Sequence, residues 1–288
     1  MTTSKQQHLL IGLPATGKTT YLAALWHVVQ QHRRPCALRL EKLEGDSKYV
    51  NEIAKTWLSC APIPRTNPGS EAIVSMQLQD GENGRITNLM FPDLSGESFE
   101  LQWTTRQLTR AYDKQMRSAS GALLFINPMT VVEPVRIDQL ESAVAEAELA
   151  LGVEQYEAAT SVSSVWNAER APTQVQLVEL LQFIAARPTF RPPFRVAVMI
   201  SAWDRVAAGN LPPLAWLERR MPLLTQFLAG NGAVFESTVY GVSAQGGEYD
   251  PAQVAQLTAK EPIERILLTG AGVRGAHDLT EPVHWLMQ

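Results

Sequence analysis

Eight consecutive residues constrain this chain more than any other feature: Gly12-Leu13-Pro14-Ala15-Thr16-Gly17-Lys18-Thr19, which fits G-x-x-x-x-G-K-[ST] at every defined position. An apolar run, His8-Leu9-Leu10-Ile11, leads into it, and an apolar helical segment from Lys18 to about Val29 leads out. That strand–loop–helix setting is what a phosphate cradle requires. Gly12 and Gly17 let the backbone bend so that its N–H groups converge on phosphate oxygens. The helix that begins near Lys18 adds the positive end of its dipole. Lys18 is placed to reach β- and γ-phosphates, and the Thr19 hydroxyl is a hard oxygen suited to Mg²⁺. Gly12, Ala15, Thr16, Gly17, Lys18, Thr19 and Thr20 are therefore the candidate phosphate contacts. A glycine-rich turn that binds nothing is the competing reading, and the correct flanks weigh against it. The loop alone does not separate kinase, ATPase and GTPase.

The rest of the chain supplies the scaffold such a loop needs. Residues 36–43 alternate as a strand, and 47–58 carry helical spacing at Val50, Ile53, Ala54 and Trp57. Residues 72–78 alternate and 86–91 are apolar; Asp80-Gly81-Glu82-Asn83-Gly84 between them supplies the positive-φ positions of a tight reversal, which predicts an antiparallel hairpin. One helix over Phe99–Ser118, strand Gly121–Ile126, and a helix over about 137–151 follow. Beyond an irregular stretch to about Pro172 come helix Gln174–Ala186, strand Phe194–Ser201, helix Leu214–Ala229 and strand Ala233–Ser243. A short helix at 251–258, an apolar segment Ile263–Leu268 and a terminal helix near Glu281–Met287 complete the reading. Strands alternating with helices predict an α/β fold whose mostly parallel sheet is covered on both faces.

A second motif narrows the class. The strand ending at Phe91 runs into Pro92-Asp93-Leu94-Ser95-Gly96-Glu97. A carboxylate at a strand end can hold Mg²⁺, directly or through water, and the N–H of Gly96 can approach a terminal phosphate unobstructed. Here the chain resembles the TRAFAC-class GTPases, whose switch II reads D-x-x-G after an antiparallel hairpin. Two later segments fall in that family's order. Ser201-Ala202-Trp203-Asp204 follows a buried-strand pattern, and Asp204 takes the place of the guanine-binding Asp of N/T-K-x-D. Ser201 and Ala202 depart from that pattern, which leaves Trp203 as the apolar residue available to cover the base. Ser243-Ala244-Gln245 resembles the loop whose backbone contacts guanine O6, with Ser243 and Ala244 as the candidates. The segments GKTTYLAALW, GALLFINP and EPVHWL look most like the bacterial double-GTPase families, switch proteins associated with conflict and defence operons and often encoded in pairs.

The resemblance implies a three-layer, Ras-like fold with an antiparallel hairpin before switch II. It implies one domain over 1–288, with insertions at about 33–62 and 128–172. It also implies a GTP-binding switch with GTP/GDP and Mg²⁺ as ligands, slow intrinsic hydrolysis, and Lys18 and Glu97 as catalytic groups. The metal would be held by Thr19 and Asp93, with Thr66 from switch I and Ser70 as the fallback. Glu97 stands where relatives orient the attacking water; capping of the following helix is an equal reading. The partner implied is a protein effector or activator, including a second GTPase or self-association. Two other functions stay open at this point: a phosphate-loop kinase acting on a small acceptor, and an assembly protein that binds nucleotide without hydrolysing it.

Composition enters as a set of exclusions. The 288 residues carry a net charge of −4, against a general nucleic-acid-binding footprint. No apolar run is long enough for a membrane-spanning helix, and the N-terminal residues lack a secretory layout, so a cytoplasmic location is expected. Two cysteines, Cys36 and Cys60, are too few for a disulfide framework or a four-cysteine zinc site. Arg106, Arg110, Lys114 and Arg117 recur at helical spacing, read as a solvated face ahead of an effector surface. Residues 133–169 hold eight acidic residues and one basic one, Arg136, a solvating insertion or a surface for a basic partner.

Overall fold

The computed structural model describes residues 6–31, 36–64, 74–91, 97–134, 168–206, 209 and 211–288. Its centre is β1 (Gln6–Gly12), whose residues alternate between two cores as a strand's period of two demands. Leu10 points into one apolar cluster, while Leu9 and Ile11 point into the other. Being covered on both faces, β1 has no polar face to show, which is why it reads as a continuous apolar run.

β1 lies between β4 (Ile86–Phe91) and β5 (Gly121–Ile126), parallel to both. β6 (Phe194–Ile200) and β7 (Phe235–Ser243) continue the parallel order beyond β5. On the other side β3 (Val74–Asp80) pairs antiparallel with β4, as the Asp-Gly and Asn-Gly signals predict. The reversal is held by the Asp80 carboxylate, which accepts from Glu82 N (2.8 Å) and Asn83 Nδ2 (2.6 Å), while Gly84 adopts φ +70°. Two antiparallel edges enlarge the sheet: β2 (Leu38–Glu44) pairs with β3, and β8 (Leu267–Gly270) pairs with β7. The order is β2-β3-β4-β1-β5-β6-β7-β8. The expected apolar segment 263–268 is thus a 3₁₀ turn, Pro262–Arg265, followed by an edge strand.

One face is covered by α1 (Lys18–Gln30), α2 (Ser47–Leu58) and the terminal α9 (Glu281–Leu286), which follows α8 (Pro251–Thr258) in the chain. On α1, ten of thirteen residues are buried, because the sheet lies on one side and α2 on the other. The stretch 33–62 therefore contributes a strand and the helix that covers α1. The opposite face carries α3 (Glu97–Thr105), α4 (Arg110–Ser118), α5 (Thr173–Ala185), α6 (Pro213–Arg220) and α7 (Pro222–Gly230). The expected helix 137–151 lies outside the described residues.

Two expected helices are each divided. The 99–118 helix breaks at Arg106, which takes φ +59°. A new helix starts where Thr109 Oγ1 accepts the Tyr112 N–H at 3.2 Å. The basic stripe is consequently not one continuous helix face: Arg106 pairs with Glu179 of α5 and lies over the Trp103 ring, whereas Arg117 pairs with Asp113 on α4. The 214–229 helix breaks at Met221 because Pro222 has no N–H to continue the ladder.

His8 on β1 is fully buried, with Ser120 Oγ 3.4 Å from Nδ1 and no partner on Nε2 among the described residues. Burial, aided by the positive charges of Arg195 and Arg85, lowers its pKa to about 3. The folded state thus refuses a proton that the unfolded chain accepts below about 6.5. This contribution to stability is complete above pH 6.5 and is lost progressively toward pH 3. Denaturant titrations at pH 7 and 4.5 should show His8→Leu losing about 2–3 kcal/mol less stability between the two than the parent chain.

Candidate functional site

The phosphate loop joins β1 to α1 in a conformation that its glycines permit. Gly12 takes φ +152° and Gly17 takes +89°. A Cβ on Gly12 would lie 2.8 Å from Phe125 O, which leaves no room for one, and a Cβ on Gly17 would crowd the Ser201 Cβ at 3.2 Å. Gly17 is also the N-cap of α1, so the helix opens directly from the loop. The loop is tied internally by Thr16 Oγ1 donating to Leu13 O at 2.8 Å. Lys18, 2% exposed, donates from Nζ to Gly12 O and Leu13 O, both at 2.8 Å. Asn127, just past β5, donates from Nδ2 to Ala15 O at 2.9 Å and anchors the loop's apex, where Ala15 has φ +58°.

The parallel strands β6 and β7 end beside one another, so the segments following them share an edge of the sheet with the loop. Ser201 N donates to Ile126 O at 2.8 Å, which sets Ser201 against Gly17. Ala202 is left-handed at φ +46°, and Trp203-Asp204-Arg205 form a 3₁₀ turn. Trp203 corrects the expectation made of it. It is 3% exposed and packs on Gly241, where a Cβ would come within 2.4 Å of the indole. Its ring belongs to the core under the turn and does not cover a base. The Asp204 carboxylate has no hydrogen bond or ion pair among the described residues, whereas Arg205 reaches across to Glu248 at 2.6 Å.

After β7, Ser243 Oγ accepts the Gly246 N–H at 3.0 Å, and Ala244 O accepts Trp57 Nε1 from α2 at 2.9 Å. Trp57 is in turn covered by the Arg265 guanidinium, 4.5 Å from its ring centroid. Further along, Tyr249 reaches the Thr20 hydroxyl; its own hydroxyl pKa is raised, chiefly by burial.

All three segments open onto one cavity of about 860 Å³. Ala15, Thr16, Gly17, Lys18, Thr19 and Thr20 line it together with Asp204, Ser243, Ala244, Gln245 and Tyr249. Gly12 supports the loop from behind. Thr66, Asp93 and Gly96 lie outside the described residues, as does the Glu97 side chain, although Glu97 begins α3. Among the described residues no cluster of His, Cys, Asp or Glu could hold a metal, which leaves Thr19 as the hard oxygen from this set. Also among them, no helix is long and apolar enough to cross a membrane.

Three contributors escaped the sequence reading. Asn127 carried a weak signal, a polar residue directly after an apolar strand. Trp57 was legible as core but not as a donor to the 243–246 loop. Tyr249 had none, because its contact with Thr20 joins residues far apart in the chain.

A cradle of this build, on a mostly parallel sheet flanked by helices and extended on one side by the antiparallel β3–β4 hairpin, defines a phosphate-loop GTPase domain. The family model for Double-GTPase 1 matches residues 9–286, and the chain belongs to that family. No curated protein matches the chain. Among solved structures it is similar to the G domain of the Thermotoga maritima FeoB iron transporter, at 12% identity over 89% of this chain and 98% of that one, TM-score 0.35. It is also similar to nucleolar GTP-binding protein 1 of Plasmodium falciparum, at 10% identity over 90% and 85%, TM-score 0.39. The GTPase-like domain of Saccharomyces cerevisiae Ski7, bound to GTP, matches at 12% identity over 84% and 43%, TM-score 0.38. Likenesses this distant add nothing to the assignment, which rests on the family match and the strand order.

Because Asn127 holds the loop's apex, Asn127→Ala should weaken GDP binding by severalfold, up to about tenfold, in calorimetric titration, the cost of one hydrogen bond. Its melting temperature should fall by no more than a few degrees.

Proposed function

We propose that this chain is a GTP-binding molecular switch that hydrolyses GTP slowly with Mg²⁺ and acts through a protein partner. The observation that carries the reading is one cavity lined both by the phosphate cradle and by Asp204, a carboxylate with no hydrogen bond or ion pair among the described residues. The cradle suits a triphosphate because backbone N–H groups, the N-terminus of α1 and Lys18 all supply positive potential there. Asp204 accepts only, and guanine offers it two donors on one edge, N1–H and N2–H. Adenine presents no such pair.

Mg²⁺ fits Thr19, which lines the phosphate end, with Asp93 and Thr66 as the other proposed ligands; bound there it would neutralise charge on the β- and γ-phosphates. In hydrolysis water attacks the γ-phosphorus, the bond to the β,γ-bridging oxygen breaks, and GDP and phosphate leave. Lys18 stabilises the charge that develops on the phosphoryl oxygens, and Glu97 orients the water. An arginine contributed by a partner would raise the rate by about 10³–10⁵. The family's association with paired genes favours a second GTPase or another copy of this chain as that partner, in a defence role within the cytoplasm.

Nucleotide released from the purified protein by denaturation should be GDP or GTP. Asp204→Asn should move preference from guanine toward xanthine nucleotides in competition titrations, and Lys18→Ala should weaken GTP binding by about 100-fold or more. A preference for ATP that is indifferent to Asp204 overturns the guanine reading. Guanine binding with no turnover, alone or with partner, overturns the hydrolytic one.

A further inference from the structure

β2 closes one side of the sheet: among the described residues it pairs with β3 alone, and no strand lies beyond it. Its outer edge is available over a short stretch. At one end the Ala37 N–H donates to Asp278 Oδ2 at 2.7 Å and the Leu38 N–H to Thr280 Oγ1 at 3.0 Å, so that end is occupied. At the other, Gly45 turns the chain away at φ +100° into α2. Between them lies Arg39-Leu40-Glu41-Lys42-Leu43-Glu44. Leu38, Leu40 and Leu43 pack toward the core beneath α1. The bulge between Leu40 and Lys42 is what lets two leucines three residues apart share that side. Arg39, Glu41 and Lys42 are exposed, and the Glu44 side chain is 42% exposed.

We propose that this edge joins a second copy of the chain, the two β2 strands pairing antiparallel about a two-fold axis between Glu41 and Lys42. The residue order is self-complementary in that register. Arg39 of each copy faces Glu44 of the other, Leu40 faces Leu43, and Glu41 faces Lys42. Opposite charges or apolar side chains directly across from one another stabilise a sheet, and like charges there destabilise it. A shift of one residue in one direction sets Glu41 against Glu41, and in the other it sets Lys42 against Lys42. Parallel pairing in register sets every charge against its own sign. Charges and bulges on an edge strand ordinarily keep other chains off. Here they reject those alternatives and leave one pairing satisfied. The bulge serves the same symmetry, because it brings Leu40 and Leu43 together on the core side and leaves Arg39 and Glu44 on the other. The exposed Lys42–Glu44 ion pair within each chain, at 2.9 Å, contributes little and does not hold Lys42 back. A contact of six residues per strand is small and isologous, which suits a reversible dimer. Nothing in it depends on the nucleotide that the chain binds.

Sedimentation velocity of the full-length chain across the micromolar range should show a monomer giving way to a dimer, with the dimer weakened at high salt. Glu41→Lys and Lys42→Glu should each weaken the dimer by about tenfold or more, because each sets like charges opposite one another twice. Both positions are exposed, so both variants should melt as the native chain does. Mixed in equal amounts, the two variants should dimerise with native strength, since every lysine at the axis then faces a glutamate of the other copy. That recovery separates a broken register from a damaged fold. A native chain that stays monomeric overturns the proposal. So does a native dimer that neither substitution weakens, which would place the contact elsewhere, or a mixture of folded variants that fails to recover.

Discussion

Everything in this molecule depends on burying α1 on all its faces. The helix that presents its N-terminus to the phosphate site is apolar almost all round, so the sheet alone cannot satisfy it. The sheet takes one side; α2, α9 and the β8 connection enclose the rest. Tyr21 shows the closeness of that packing: it meets Phe125 of β5 edge-on at 5.1 Å and donates its hydroxyl to Leu279 O at 2.7 Å. A helix held this firmly is a fixed platform, and Gly17 at its start inherits that rigidity. The preorganisation of the cradle is therefore a product of the core beneath it.

The same packing couples the two ends of the cavity. α2 belongs to a stretch that looks like surplus beside a minimal GTPase, yet it covers α1 on one side and holds the 243–246 loop through Trp57 on the other. Trp26 fixes its position by donating to Asn51 Oδ1 at 2.9 Å, and His27 lies 5.2 Å from the Trp57 ring. Phosphate loop and base loop thus lean on a common helix. A displacement of α2 would reach both, which makes the 33–62 stretch part of the site's support.

Much of the fold was legible because its signals are local. Gly12 to Thr19 announced the cradle, Asp80 to Gly84 announced the hairpin, and the spacing of Val50, Ile53 and Trp57 marked α2 to the residue. The failures have equally local causes. The 99–118 segment keeps a helical period across a break that Thr109 starts anew, and Pro222 interrupts a run whose hydrophobic spacing continues. Asp204 lines the same cavity as the phosphate loop, whereas Trp203 lies in the core and not over it. Its role depends on Gly241 in a neighbouring strand, and no spacing within Ser201–Asp204 encodes that contact.

The linear order of residues was sufficient for the chemistry at the phosphate end. Backbone conformation at Gly12 and Gly17, the charge of Lys18 and the hydroxyl of Thr19 are properties of a single short segment. It was also sufficient for the alternation of strands and helices, since burial imposes its period on each element separately. Tertiary structure alone decided which residues share the cavity with the phosphate loop. Asp204, Gln245 and Tyr249 converge because β6 and β7 end side by side, and Asn127 and Trp57 hold the loops from strands and helices distant in the chain. Contacts across the sheet carry no local period, so only packing reveals them.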